Sequence, residues 1–482
     1  MIIDNKSMNA YKSHIVRLLL IALLVLPATT SCYDYGPEVV RGTSDSNYIN
    51  VTVTVSTSVS PTTRGPQGGE NGDGREEGIE TRETAVSGVT LLFFRQAVGI
   101  NASEDAAEST KIDYAAHYEV HVDPNPQNVN CVPGEVYYTT GDQQLNVAIK
   151  TDKQYHMLVV ANVDLTNDIV LGTTTLKDVR DMVLSSVYTG SGKGAAASNF
   201  IMSSEEDAII NFTNATYDEN TNHRTFKLTN VHLERLSARI DYCTKGSDFD
   251  ETLGGFKYEV GTTGDYFVVK KVTPFNLYNE NEYLFKRVQD NWSDNATVSY
   301  LGNETLTNYV LDPNTGLKDN TSDHAFTYLS PIAQNMNNAY TQTMSSLSND
   351  QKFTDSNNDL NIIIAYPKEN TLMPSSSLML YATGIAFEGV YHDAVTDTDI
   401  TRVYYHFLRH QGEKTTGSYQ AKQWADLSTG DTCGSSPAMN FGVVRNNIYR
   451  ISIEGINSLE GTITLKIEEK HWRHVDNPVI YI

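Results

Sequence analysis

Along most of this chain apolar and polar residues alternate with a period of two, the pattern of strands that bury one face. In residues 48–64 (YINVTVTVSTSVSPTTR), Val51, Val53 and Val55 alternate with Thr52, Thr54 and Ser56. A strand is expected there, and Pro61 closes it because proline brings no backbone donor to a ladder. A hydrophilic loop follows at 62–84, rich in Gly and Glu and carrying Arg64, Arg75 and Arg82. The same alternation, or a short buried apolar run, predicts strands at 86–96 (VSGVTLLFFRQ), 118–122, 144–149, 156–163 (HMLVVANV), 208–212 and 225–228. Residues 231–242 (VHLERLSARIDY) alternate cleanly again and are expected to open a second unit. Its further strands are predicted near 256–260, 266–272, 361–366, 378–387, 401–408 and 443–453. Helical spacing is rare: Leu176, Val179, Met182 and Val183 give one short amphipathic helix. A second helix is expected around 331–344, inside the polar, Asn-rich stretch 292–358. Many strands, few helices and turn-rich joints predict an all-β protein of two sandwich units.

The end of the chain is patterned differently from an ordinary terminus. Ile463, Leu465 and Ile467 alternate with polar neighbours, and after His471 and Trp472 the chain closes on Val475, then Val479, Ile480, Tyr481 and Ile482. Termini usually fray and are polar. An apolar terminal strand either tucks into its own sheet or serves another molecule's.

Composition sharpens this picture. At 482 residues, with 28 Tyr against 3 Trp, the chain is long enough for two or three cores and leans towards β structure. A formal net charge of -23 excludes nucleic acid as a natural partner, since no basic excess is present to neutralise phosphates. The four cysteines, Cys32, Cys131, Cys243 and Cys433, contain no CxxC pair. Without Cys32 an odd number remains, which is neither a disulfide framework nor a zinc site. One disulfide among the three or three free thiols are both open.

Residues 8–32 (MNAYKSHIVRLLLIALLVLPATTSC) read as an export signal. Lys12 and Arg17 precede an apolar run at 18–26 that is too short to span a bilayer, and small residues lead to Ser31-Cys32. Met8 fits as the start, because residues 1–7 add an acidic residue. A cysteine at the end of such a site resembles a bacterial lipoprotein signal, in which Cys32 would be lipidated. Thr29 stands where a large aliphatic is usual, and the alternative is an ordinary secretory signal.

Taken together, these features resemble the fimbrillin family, the type V pilins of Bacteroidales, in particular the short-fimbria type of major subunit. The resemblance rests on the signal ending at Cys32, the strand at 50–55 followed by a loop arginine, and the buried LLFFR and LVVANV strands. It continues through FIMSS, VHLERLSARIDY, FGVVRNNIYRISI (441–453) and the tail with Trp472 ahead of 477–482. It implies two tandem transthyretin-like β-sandwich domains with a C-terminal donor-strand extension. It further implies a signal at 1–31, a propeptide with a removable first strand at 32–64, domains at 65–229 and 230–460, and a donor tail at 461–482. By the same resemblance the precursor is an outer-membrane lipoprotein lipidated on Cys32. An arginine-specific protease then cuts the loop after the first strand, and a neighbouring subunit's extension fills the vacated groove. Arg64 is the expected cleavage point, with Arg75 and Arg82 as alternatives. Val51, Val53 and Val55 would leave with the strand; Val475, Val479, Ile480, Tyr481 and Ile482 would form the donor, with 461–468 as its stem. The expected partners are other copies of the chain and related fimbrial subunits, at the cell surface.

Catalytic signatures are sparse. His406 and His410, and His471 and His474, sit in strand-patterned segments with no third ligand indicated, so no metal site is expected. Residues 190–194 (GSGKG) have a phosphate-loop flavour, but Lys193 is followed by Gly, and no strand leads directly into them. GxSxG and HExxH are absent from the sequence. No cofactor and no enzymatic activity are expected. Two other readings stand beside the stalk subunit: a monomeric surface lipoprotein that binds a glycan or host ligand, and a tip or anchor subunit.

Overall fold

The structure is a computed structural model. It describes residues 49–55, 75–77, 83, 85–95, 108–122, 138–145, 154–190, 197–204, 208–211, 216–218, 223–226, 228–229, 233–290, 298–299, 308–319, 325–332, 338–354, 358–410, 417–434, 440–457, 462–473 and 479–480. The described part is nearly all β, with two short helices at Leu176–Arg180 and Leu378–Tyr381. No helix among the described residues is long and apolar enough to cross a membrane.

The first part of the chain supplies β1 (Ile49–Val55), β2 (Arg75–Glu77), β3 (Gly88–Arg95), β4 (Ile112–Glu119), β5 (His121–Val122), β6 (Tyr138–Leu145) and β7 (Gln154–Ala161). One sheet runs Thr216–Asp218, His223–Phe226, β1, β6, β5. Another runs Leu233–Arg235, Met202–Ser204, β7, β3, β4. The continuous apolar run in β3 reflects burial on both faces. Val89, Leu91 and Phe93 join one core cluster. Leu92 and Phe94 join another, with Leu176 and Val179 of the helix and with Leu284 and Phe285 from later in the chain. At about 1.5–3 kcal/mol per fully buried side chain, these residues make β3 the anchor of the first unit. Asn162, at the end of β7, takes a positive φ of 66°. Its Oδ1 accepts from the Ser87 N–H at 2.8 Å and its Nδ2 donates to the carbonyls of Ala85 and Phe200 at 2.8 Å, tying three segments at one corner.

Two larger sheets are built mainly from residues 239–473, with β2 added to one of them. Arg239–Thr244, Leu360–Ala365, Asn447–Asn457 and Thr462–Arg473 lie in one; Gly255–Val260, Asp265–Phe275, Gly384–Asp393 and Thr398–Phe407 lie in the other. Their inner faces meet in a single core: Ile240, Tyr242, Ile364, Ile451 and Leu465 on one side, Phe256, Phe267, Ile385, Phe387 and Tyr404 on the other. Gly389 is needed within this second sheet, since a Cβ there would lie 2.2 Å from the Val268 carbonyl oxygen.

Three local expectations differ from what folds. Around 331–344 the described residues hold no α-helix. Asn338 Oδ1 accepts from the Tyr340 N–H at 2.9 Å, a local turn that competes with helical bonding, and Gln342–Thr343 pairs as a strand. Within 378–387 a helical turn, Leu378–Tyr381, precedes the strand that begins at Gly384. A short apolar run does not distinguish the two by period alone. Third, 231–242 alternates as though one face met water, yet Glu234, Arg235, Ser237, Arg239 and Asp241 are all buried. These residues lie at the junction of the two units.

His406 is buried in the second unit, and its Nδ1 lies 3.4 Å from the Gln420 carbonyl. Burial, and then the nearby Arg409 guanidinium, push it down from 6.5 to about 3. Between these values the unfolded chain binds the extra proton and the folded chain does not, so stability is full above about pH 6.5 and falls as pH drops towards 3. Denaturant melts from about pH 7 to about pH 4 should show a shallower acid loss in His406→Gln than in the wild type. Equal slopes would contradict this.

Candidate functional site: the slot of the first strand and the tail

The alternating Val51–Val55 strand, β1, occupies an internal place in its sheet. β1 runs antiparallel to β6, from Ile49 opposite Leu145 to Val55 opposite Tyr138, with an irregularity between Thr52 and Thr54. On its other side Ile49, Asn50 and Val51 stand opposite Arg224, Thr225 and Phe226 in parallel sense. Removing a strand with neighbours on both sides leaves two facing rows of unpaired N–H and C=O groups, a slot about 9–10 Å wide. An edge strand would leave one row and no slot.

The loop behind β1 is fixed at two points. β2 pairs in parallel with the end of Thr462–Arg473, Arg75 opposite His471 and Glu77 opposite Arg473. Arg75 therefore lies in a sheet. Glu83 is fully buried: Arg239 Nη1 donates to its carboxylate at 3.0 Å, the Tyr366 hydroxyl donates to it as well, and Arg235 Nε donates to its backbone carbonyl at 2.9 Å. Arg239 also pairs with Asp241 at 2.8 Å. Burial works against the Arg239 charge, but Asp241 and Glu83 outweigh it and hold the guanidinium well above its ordinary value. Arg235, with less compensation, is drawn down by burial to about 10. The residue after Arg82 is thus locked into the junction between the two units.

The tail divides. Thr462–Arg473 belongs to the second sheet system, with Asn447–Asn457 on one side and Gly417–Ala421 and β2 also paired to it. Ile463, Leu465 and Ile467 lie in the core. Farther on, Val479–Ile480 pairs antiparallel with Leu228–Thr229, Ile480 opposite Leu228 and Val479 opposite Thr229. This segment directly follows His223–Phe226, so β1 and the end of the chain converge on one stretch, 223–229.

Of the residues singled out from sequence, Cys32, Arg64, Arg82, Val475, Tyr481 and Ile482 lie outside the described residues, as do Cys131, His474 and most of 190–194. For Val51, Val55, Arg75, Val479 and Ile480 the backbone pairing is described, while Val53 lies within β1 at its irregularity. Cys243 is half-buried, and Cys433 is a buried free thiol. His406 and His410 are separately buried, and His410 Nδ1 meets the Tyr449 hydroxyl at 2.9 Å. No group of metal-ligating side chains occurs among the described residues. Sequence reading missed Glu83 and the 228–229 segment. A lone Glu in a polar loop carries no local sign of burial, and only the spacing of Arg235, Arg239 and Asp241 hints at a buried ion network.

No family model matches the chain, and no curated protein does either. Among solved structures, a candidate cell adhesion protein of Parabacteroides distasonis overlaps 89% of this chain and 98% of its own, at 13% identity and a TM-score of 0.41. The tip fimbrial protein of Porphyromonas gingivalis, truncated at its C-terminus, overlaps 88% and 100%, at 10% identity and a TM-score of 0.38. A fimbrial protein of Bacteroides vulgatus overlaps 84% and 99%, at 12% identity and a TM-score of 0.30. Likeness at this level assigns no residue a role.

The junction makes its own demand on stability. Glu83→Gln would leave Arg235 and Arg239 buried with one carboxylate fewer. Loss of one partner of such a network costs about 3–5 kcal/mol. Chemical denaturation should show that loss, with Lys177→Ala, on an exposed helix pair, changing stability by less than about 1 kcal/mol. A Glu83→Gln loss as small as that of Lys177→Ala would remove Glu83 as an anchor.

Proposed function

We propose that this chain is a structural stalk subunit of a cell-surface fimbrium of the fimbrillin type, built from two tandem transthyretin-like sandwich domains and serving adhesion. It is exported as a lipoprotein precursor through Cys32, cut in the loop after β1, and polymerised head to tail by strand exchange. The observation that carries this reading is the internal position of β1. A strand paired on both sides, yet joined to the rest of the chain through a hydrophilic, arginine-bearing loop, is built to leave a slot. The remedy for such a slot is an extended segment of like alternation, added by strand pairing. The apolar tail has that character. Three buried aliphatic anchors would supply roughly 5–9 kcal/mol before association costs, with backbone pairing added. Head-to-tail donation gives an open filament, whereas a donor from the same molecule closes it.

Arg64 remains the cleavage point of choice. Cutting favours exposed loops whose backbone is free to enter a protease. Arg75 is engaged in β2, and Arg82 precedes the buried Glu83. Arg41 would leave β1 attached. One observation favours the monomeric reading: the tail strand pairs within its own chain, at Leu228–Thr229. A monomeric surface protein that binds a glycan or host ligand would keep β1 and that pairing permanently.

Mass spectrometry of the mature N-terminus separates these readings. A start at Gly65, together with heat-resistant ladders on a gel after arginine-specific proteolysis, is expected. A start at Gly42, or no cut with monomers only, contradicts the proposal. Deleting residues 477–482 should leave export intact and abolish the ladders.

A further inference from the structure

Two registers meet on the segment that follows Thr216–Asp218. In the parallel register, Val51 stands opposite Phe226. Continued unchanged, that register would set Val53 opposite Leu228 and Thr54 opposite Thr229. The tail holds both positions instead, Ile480 at Leu228 and Val479 at Thr229. Over this half the ladder partner described for β1 is β6, Thr54 opposite Thr139 and Val55 opposite Tyr138. β1 and the tail strand are neighbours there. Both registers set an apolar residue against Leu228, so the same edge accepts either strand.

We infer that Leu228–Thr229 is the entry site at which a C-terminal tail starts to displace β1, held by the chain's own tail in the uncut monomer and by a second copy's tail in the growing fibre. The second half rests on the strand-exchange reading above; the first does not. The physical reason for an entry site is the height of the alternative barrier. Emptying the slot first exposes two rows of backbone groups at once. A tail already paired beside β1 stands next to the slot before β1 leaves, so the slot need not be emptied before a new strand is at hand. The half of β1 nearest the cuttable loop, with one ladder partner among the described residues, is the half that yields first.

The test uses the full uncut chain. Opposed positions on paired strands lie within the Cα separation a disulfide needs, so Thr229→Cys with Val479→Cys is expected to cross-link within the monomer under mild oxidation. The control carries Thr229→Cys without the second substitution. Cross-linking no greater than in this control overturns the inference. In cut protein, Thr229→Pro, which removes a backbone donor, is expected to slow ladder formation about tenfold while β1 release keeps its rate. Leu228→Ser, checked for an unchanged melting profile, guards against a proline that fails to fold. Ladders growing at the wild-type rate in the folded variant overturn the entry role. A specific cross-link in a chain that never polymerises leaves the own-tail pairing standing and removes the fibre reading.

Discussion

The proposed assembly rests on a single backbone arrangement: a strand near the start of the chain is paired on both sides, but its covalent link to the rest runs through a polar loop. In most sheets the internal strands are the least dispensable, because each satisfies two neighbours. Here Ile49–Val55 lies between β6 and His223–Phe226, so cutting its loop changes a permanent core element into a bound peptide. Competition for two ladders then decides whether that peptide stays. An apolar, extended segment that reaches those ladders stabilises the subunit; in its absence the slot draws whatever edge is nearest.

That competition needs a body that does not deform when the strand is exchanged, and the buried ion networks supply one. Glu83, Arg235, Arg239, Asp241 and Tyr366 bind the start of the first unit to the second unit's sheet. A second network joins Arg445 to Glu282 and Glu369 at 2.8 and 3.0 Å, while Tyr283 pairs with Val183 of the first unit. Lys286 reaches Glu234 at 2.8 Å. Leu284 and Phe285 fill the first unit's core. These contacts join the earlier and later parts of the chain along several segments. Glu83 also places the anchor point downstream of every arginine in the loop.

Much of the fold was legible in the sequence, for a physical reason. The VTVTV and LLFF patterns state directly whether a strand buries one face or two, and β1, β3 and β7 fall where they predict. Less legible was anything decided by distant partners. Arg235, Arg239 and Asp241 alternate as a wet face would, and the cost of their burial is offset by the Arg239–Asp241 pair together with Glu83, over 150 residues earlier in the chain. Ile463, Leu465 and Ile467 read as the stem of a tail, yet they complete the second core, because pairing to 447–457 depends on a partner strand that local pattern cannot name. For the candidate site, the removable strand and the apolar tail were readable from alternation. Their meeting on residues 223–229 was not, since 223–226 is too short and polar to mark itself as an acceptor.

Amide hydrogen exchange at 138–145 and 223–226, the two edges that flank β1, tests the central claim most directly. Slow exchange is predicted in the uncut precursor, fast exchange in the cut monomer once β1 has gone, and slow exchange again in the polymer. Protection that stays unchanged through cutting and assembly would mean that β1 is an ordinary fixed strand, and would contradict the account.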